Sequence, residues 1–149
     1  MKYVDTQVVF KELPNEITLA INISGCPLSC KGCHSPHLQK DEGIELTSSA
    51  LRGLIKDNQG ITCVAFMGGD PQGVEHLAEI VKSLSLKTAW FTGRTYFPVG
   101  TQLDRFDYLK LGPYEEDKGG LDNPNTNQKL FKIILQNTSY KSNWISNYW

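Results

Sequence analysis

The sequence predicts an α/β fold, a partial, open βα barrel with a mainly parallel sheet of about five to six strands. Three observations predict it. Short β-branched apolar runs alternate with segments of helical periodicity, which implies right-handed crossovers. Every loop carrying unusual residues follows a strand-like run, where open parallel sheets place their ligands. The 149 residues are too few for a complete eight-unit barrel of ordinary size.

The first predicted strand is Ile17-Thr18-Leu19-Ala20-Ile21-Asn22-Ile23, ending at Ser24-Gly25. Its end delivers the chain into a loop, 24–37, that holds three cysteines. Thr47 or Ser48 then caps a helix with Ala50, Leu51, Leu54 and Ile55 on one face, stopped by Asn58-Gln59-Gly60. A second strand, Thr62 to Met67, runs into Gly68-Gly69-Asp70-Pro71. The following helix spaces Val74, Leu77, Ala78, Val81 and Leu84 along one stripe. Lys87 to Thr92 is the third strand, ending at Gly93. Phe106 to Leu111 is the fourth, ending at Gly112-Pro113, and Leu130 to Leu135 is the fifth.

Residues 114–129 show neither period and read as a long, flexible loop. The stretch 136–149 reads as a polar tail carrying the aromatic residues Tyr140, Trp144, Tyr148 and Trp149, which are expected to dock it on the body. A single domain spanning 1–149 is expected, since the hydrophobic content of 40% suffices for one core. A formal net charge of -1 provides no positive field for nucleic acid or an anionic membrane, so neither is expected as a partner. No segment has the apolar length of a membrane span, and Asp5 interrupts any leader-like start, so a cytoplasmic protein is expected.

In a reducing compartment clustered cysteines suggest metal binding, not disulfides. Cys26, Cys30 and Cys33 lie close enough in sequence for one short loop to wrap a compact iron-sulfur cluster. Three ligands leave one iron uncovered, and an open coordination position marks a catalytic metal site. Gly25 and Gly32 allow close backbone approach, and Pro27 limits the loop's freedom. Structural zinc remains an alternative on ligand count, because His34 or His37 would complete a Cys3His set and make the chain a zinc-stabilised interaction module. The fourth cysteine, Cys63, falls in an apolar strand pattern and reads as a buried, inert thiol.

Two motifs together, Cys26-x3-Cys30-x2-Cys33 after the first strand and Gly68-Gly69-Asp70-Pro71 after the second, resemble those of the radical S-adenosylmethionine enzymes. Within that superfamily the chain is similar to the anaerobic ribonucleoside-triphosphate reductase-activating proteins. The likeness extends over Tyr3-Val4-Asp5-Thr6, Gly32-Cys33-His34, Thr92-Gly93, Lys110-Leu111-Gly112-Pro113-Tyr114 and Thr126-Asn127-Gln128. Two residues depart from the broader pattern. Asp70 stands where many relatives have glutamate, and Gly32 where many have an aromatic residue.

The resemblance implies a 4Fe-4S cluster with Cys26, Cys30 and Cys33 as ligands and S-adenosyl-L-methionine chelated at the open iron. It implies reductive cleavage of that sulfonium and hydrogen abstraction from a glycine of a class III ribonucleotide reductase. Gly68, Gly69 and Asp70 would meet the methionine ammonium, and Thr92 and Gly93 its carboxylate or the ribose. His34 would hydrogen-bond near the adenine or tune the cluster, and Lys110 would face the cofactor. A low-potential donor such as a flavodoxin or ferredoxin would supply the electron. Within the same enzyme class, the partner could instead be another glycyl radical enzyme such as pyruvate formate-lyase.

Overall fold

The computed structural model describes residues 1–68, 71–136 and 139–145. Its strands are Lys2–Val9 (β1), Thr18–Ile23 (β2), Ile44–Glu45 (β3), Cys63–Met67 (β4), Lys87–Phe91 (β5), Tyr108–Leu111 (β6), Lys129–Gln136 (β7) and Ser139–Ile145 (β8). The two α-helices are Ser48–Asp57 (α1) and Pro71–Ser83 (α2). All eight strands join one sheet in the order β3-β1-β2-β4-β5-β6-β7-β8.

This sheet overturns the expected partial βα barrel. Only β2, β4, β5 and β6 run parallel, whereas β1 is antiparallel to both β2 and β3, and β7 is antiparallel to both β6 and β8. The architecture is a mixed sheet with two short helices. The alternation of strand and helix stops after β5: the connection to β6 contains only a 3-10 turn at Leu103–Arg105. The chain from β6 to β7 has no crossover helix and returns antiparallel, whereas β6 stays parallel to β5 although no α-helix joins them. β1 breaks its apolar residues with Asp5-Thr6-Gln7 and buries none of its residues fully, so it lacks the apolar run by which the central strands announce themselves. β8 takes in Tyr140 and Trp144 of the expected tail, while Tyr148 and Trp149 lie outside the described residues.

Local chemistry explains both helices. Thr47 Oγ1 accepts from the Ala50 amide at 3.1 Å, satisfying one orphan donor at the start of α1. Asn58 ends it, donating from its backbone to Ile55 O at 3.2 Å and from its side chain to Leu54 O at 2.8 Å. Pro71 opens α2, where its missing N–H costs nothing. Leu84, expected on the helix stripe, lies just past its end and is exposed.

Period-two alternation assigns the sheet's two faces. Leu19, Ile21, Val64, Phe66, Trp90 and Leu109 pack with Leu51 of α1 and with Val74, Leu77 and Val81 of α2 in the main core. Cys63, Ala65, Ala89, Tyr108 and Leu130 form a smaller core on the opposite face with Leu13. Near the starts of β4, β5 and β6 that face also buries the carboxylate of Glu16. Thr62 Oγ1 donates to it at 2.7 Å and the Tyr108 hydroxyl at 2.9 Å, and Lys87 forms an ion pair with it. Burial alone would raise the Glu16 pKa, but the hydrogen bonds from Lys87, Thr62 and Tyr108 outweigh it and hold the group below the ordinary carboxylate range. The polar knot fixes the closed end of the sheet. The opposite end, at the carboxyl ends of the parallel strands, is left to the cysteine loop.

A candidate iron-sulfur centre at the strand ends

Ile23 hands the chain to the cysteine loop, whose base is tied shut by two backbone bonds, Gly25 N to Lys40 O at 3.1 Å and Cys26 N to Leu38 O at 2.9 Å. Buried Leu38, in the 3-10 turn Pro36–Gln39, anchors the returning segment. Gly25 and Gly32 both have positive φ, 75° and 71°. At Gly25 a side chain would meet open space, so this glycine serves the backbone angle and not the close approach expected of it. At Gly32 an added Cβ would stand 3.4 Å from Glu116 Oε2, which places the loop tip against the segment after β6.

The three cysteines line one cavity of about 200 Å³. Its other walls are the carboxyl ends of the parallel strands and the segments that leave them: Ile23 from β2, Met67 and Gly68 at β4, Phe91, Thr92 and Gly93 at β5, Lys110 and Gly112 at β6. All three thiols are partly buried and unpaired with one another. The Ser35 amide donates to Cys33 Sγ at 3.3 Å, the kind of bond that stabilises a thiolate and raises the potential of a cluster it holds.

The expected cofactor residues separate into three groups. Gly68, Thr92, Gly93 and Lys110 share the cavity with the cysteines. Gly68 has φ of +88°, and its carbonyl accepts from the indole Nε1 of Trp90 at 2.8 Å, so a fully buried core residue sets the start of the glycine turn. The Thr92 amide donates to Lys110 O at 2.9 Å, and its Oγ1 accepts from the Arg94 amide at 3.2 Å, tying β5 to β6 at the rim. Gly93 lies close under the cysteine loop: an added Cβ would sit 2.8 Å from Leu28 Cδ1, the tip of a flexible side chain, and 3.8 Å from Cys30 Sγ.

Lys110 shares with Tyr108 the face of β6 that carries the cavity, and its Nζ donates to Gly112 O at 3.3 Å. Burial pushes its ammonium down to about 8, while the charges of Cys30 and Cys33 pull the other way.

His34 forms the second group. It is exposed, does not line the cavity, and rests on Tyr114 with ring centroids 3.9 Å apart. His37 is likewise exposed outside the cavity wall. Gly69 and Asp70 form the third group and lie outside the described residues.

Sequence reasoning passed over several contributors. Met67 and Phe91 are register partners in β4 and β5, and their parity with Ala65 and Ala89 was readable from the strands. Gln128 and Tyr114 also line the cavity; the sequence placed each within a motif without giving it a contact there. Thr126, Asn127 and Gln128 each donate from a side chain to a carbonyl of the segment after β6: Gly119 at 3.0 Å, Pro113 at 3.0 Å and Gly112 at 3.4 Å. The three together strap that segment, and with it Tyr114, beside the cysteine loop.

A set of three thiols in a cavity walled mainly by apolar side chains, with an amide aimed at one sulfur, suits an iron-sulfur cluster. Cys63 takes no part. It is fully buried at the start of β4, and burial drives its thiol far above its ordinary value. Among the described residues no three His, Cys, Asp or Glu side chains are grouped to hold a single metal ion.

Fold and site thus define a protein that presents three cysteines at the carboxyl ends of a mixed sheet. The family model described as 4Fe-4S single cluster domain matches residues 17–138, most of the chain, and the protein belongs to that family. No curated protein and no solved structure matches it. Among the described residues no helix is long and apolar enough to cross a membrane.

Proposed function

We propose that the chain is a radical S-adenosylmethionine enzyme that installs a glycyl radical on an anaerobic, class III ribonucleoside-triphosphate reductase. The observation that carries this reading is the shared cavity. Cys26, Cys30 and Cys33 line the same cavity as Gly68, Thr92, Gly93 and Lys110, so cluster ligands and a strand-end cradle for a small polar molecule share one space. A 4Fe-4S cluster held by three thiolates supplies an iron open to a ligand and a low-potential electron.

The chain's own residues do the rest. Gly68 turns the backbone out of β4 without a side chain and leads to Gly69 and Asp70, whose acidity suits an ammonium. Thr92 and Gly93 offer a hydroxyl and a bare backbone at the next strand end, suited to a carboxylate or ribose. Leu28, Met67 and Phe91 make the cavity apolar, which excludes water from whatever reactive group forms there. The electron would come from a flavodoxin or ferredoxin.

Anaerobic reconstitution with iron and sulfide tests the first half. About four irons per chain are expected, unchanged in Cys63→Ala and lost in Cys30→Ala. Stoichiometric zinc without iron would reject the reading in favour of an interaction module. For the second half, the reduced protein and S-adenosylmethionine are mixed with a class III reductase and examined by electron paramagnetic resonance. A glycyl doublet is expected; a doublet with pyruvate formate-lyase alone would reassign the partner.

A further inference from the structure

The cavity contains a charge for which the described residues supply no counter-charge. Lys110 sits in the middle of β6, its strand neighbours are Phe91 and Leu130, and its Nζ makes one hydrogen bond, to Gly112 O at 3.3 Å. An ammonium has three donors, so two remain for something else. Among the described residues no carboxylate lies within ion-pair reach of it, although Lys2, Lys82, Lys87, Arg105 and Lys118 all find one. A half-buried cation without a counter-charge is costly, and a site keeps one where an anion is to be held.

The anion it would face is identifiable from the same cavity, which Lys110 and the three cysteines line together. A cluster on three thiolates is anionic, and reduction adds a further negative charge at the same place. Coulomb stabilisation by a nearby cation is therefore larger for the reduced form than for the oxidised one, and low local polarity strengthens it.

We infer that Lys110 is the counter-cation of the cluster, a positioned charge that raises its reduction potential so that an external one-electron donor can fill it. The step is a single electron entering from that donor, with no bond made or broken. Gln128 supports the arrangement, because its Nε2 donates at 3.4 Å to the same Gly112 carbonyl that anchors the lysine. This inference rests on the cluster alone and not on the proposed reaction, so its test omits S-adenosylmethionine at first.

The test is a dithionite titration of the reconstituted protein, followed by electron paramagnetic resonance of the reduced cluster. Lys110→Met keeps the stem and removes the charge, Lys110→Gln removes it while keeping a hydrogen-bond donor, and Lys110→Arg keeps it. Both neutral variants should lower the ratio of reduced to oxidised cluster at a fixed potential about tenfold, which is 59 mV for a one-electron couple. Lys110→Arg should restore at least half of that shift. Unchanged potentials in both neutral variants would overturn the inference, as would an arginine variant shifted as far as methionine.

Repeating the titration with S-adenosylmethionine separates the two anions the cavity could hold. If the neutral variants keep the wild-type potential and only bind that ligand more weakly, the ammonium serves the ligand's carboxylate and the inference fails. A lowered potential in the absence of the ligand supports it, whatever the protein does with a reductase.

Discussion

Trp90→Phe should loosen the glycine turn from inside the core. The indole is fully buried on the helix-covered face of β5 and donates to Gly68 O at 2.8 Å, while the Gly68 amide donates to Phe91 O at 2.7 Å. Phenylalanine keeps an aromatic ring beside Phe106, whose centroid lies 6.0 Å from that of Trp90, but it has no donor. Leaving the Gly68 carbonyl without its partner costs about 1 to 3 kcal/mol. The missing ring atoms leave a void of about 40 Å³, worth about 1 kcal/mol at about 24 cal/mol per Å³. The sum, about 2 to 4 kcal/mol, is a large part of the stability of a domain this size. With a urea dependence of about 2 kcal/mol per M, the unfolding midpoint should fall by about 1 to 2 M. Far-ultraviolet circular dichroism of the apoprotein measures it without relying on the tryptophan signal. A fall below about 0.3 M would refute the claim that the indole hydrogen bond holds the turn.

Two further perturbations test other joints of the structure. Gly112 has φ of +112°, and an added Cβ would stand 3.0 Å from Gln128 Cα and 3.1 Å from Asn127 O, neither of which can swing aside. Gly112→Ala should therefore lose about 1 to 2 kcal/mol to the backbone angle and about 1 to 3 more to overpacking. Gly60→Ala, with φ of +89° and open space around it, should lose only the first part, and thermal melts of the pair will show the difference.

The Glu16 knot predicts an acid limb. Because the folded-state pKa is held down, its contribution is present above the ordinary carboxylate range and is lost as pH falls through the depressed value. Glu16→Gln should lower the urea midpoint near neutrality and flatten its decline on acidification. An acid limb as steep as that of wild type would mean that other carboxylates carry it.

The central strands and both helices were legible because their signals are local. β4 is a continuous apolar run, β5 ends in the apolar run Ala89-Trp90-Phe91, Thr47 is a cap, Pro71 is a helix opener, and Asn58-Gln59-Gly60 is a stop. The outer strands were not legible, because β1 and β8 earn their place by pairing. Asp5, Gln7 and Val8 of β1 lie opposite Asn22, Ala20 and Leu19, and no feature of the isolated segment reveals that register. The same distinction applies to the site. Three cysteines in one loop announced a metal, yet Trp90 read only as a strand residue and Gln128 as part of a motif, since their bonds to Gly68 and Gly112 join residues 22 and 16 apart.

What the sequence determined by itself was the chemistry available: three thiols with a fourth hidden in a strand, a glycine turn after the next strand, and a lysine whose alternation in its strand allows solvent or a polar cavity. What only the tertiary structure decided was the sheet's mixed character and the meeting of these groups. Strand direction depends on whether the connection crosses over the sheet: β5 to β6 does so with only a 3-10 turn and stays parallel, whereas β6 to β7 returns antiparallel. Whether His34 or Lys110 reaches the cysteines depends on which segment packs over the loop. The Tyr114 segment draws the histidine outward, and the pleat of β6 turns the lysine inward.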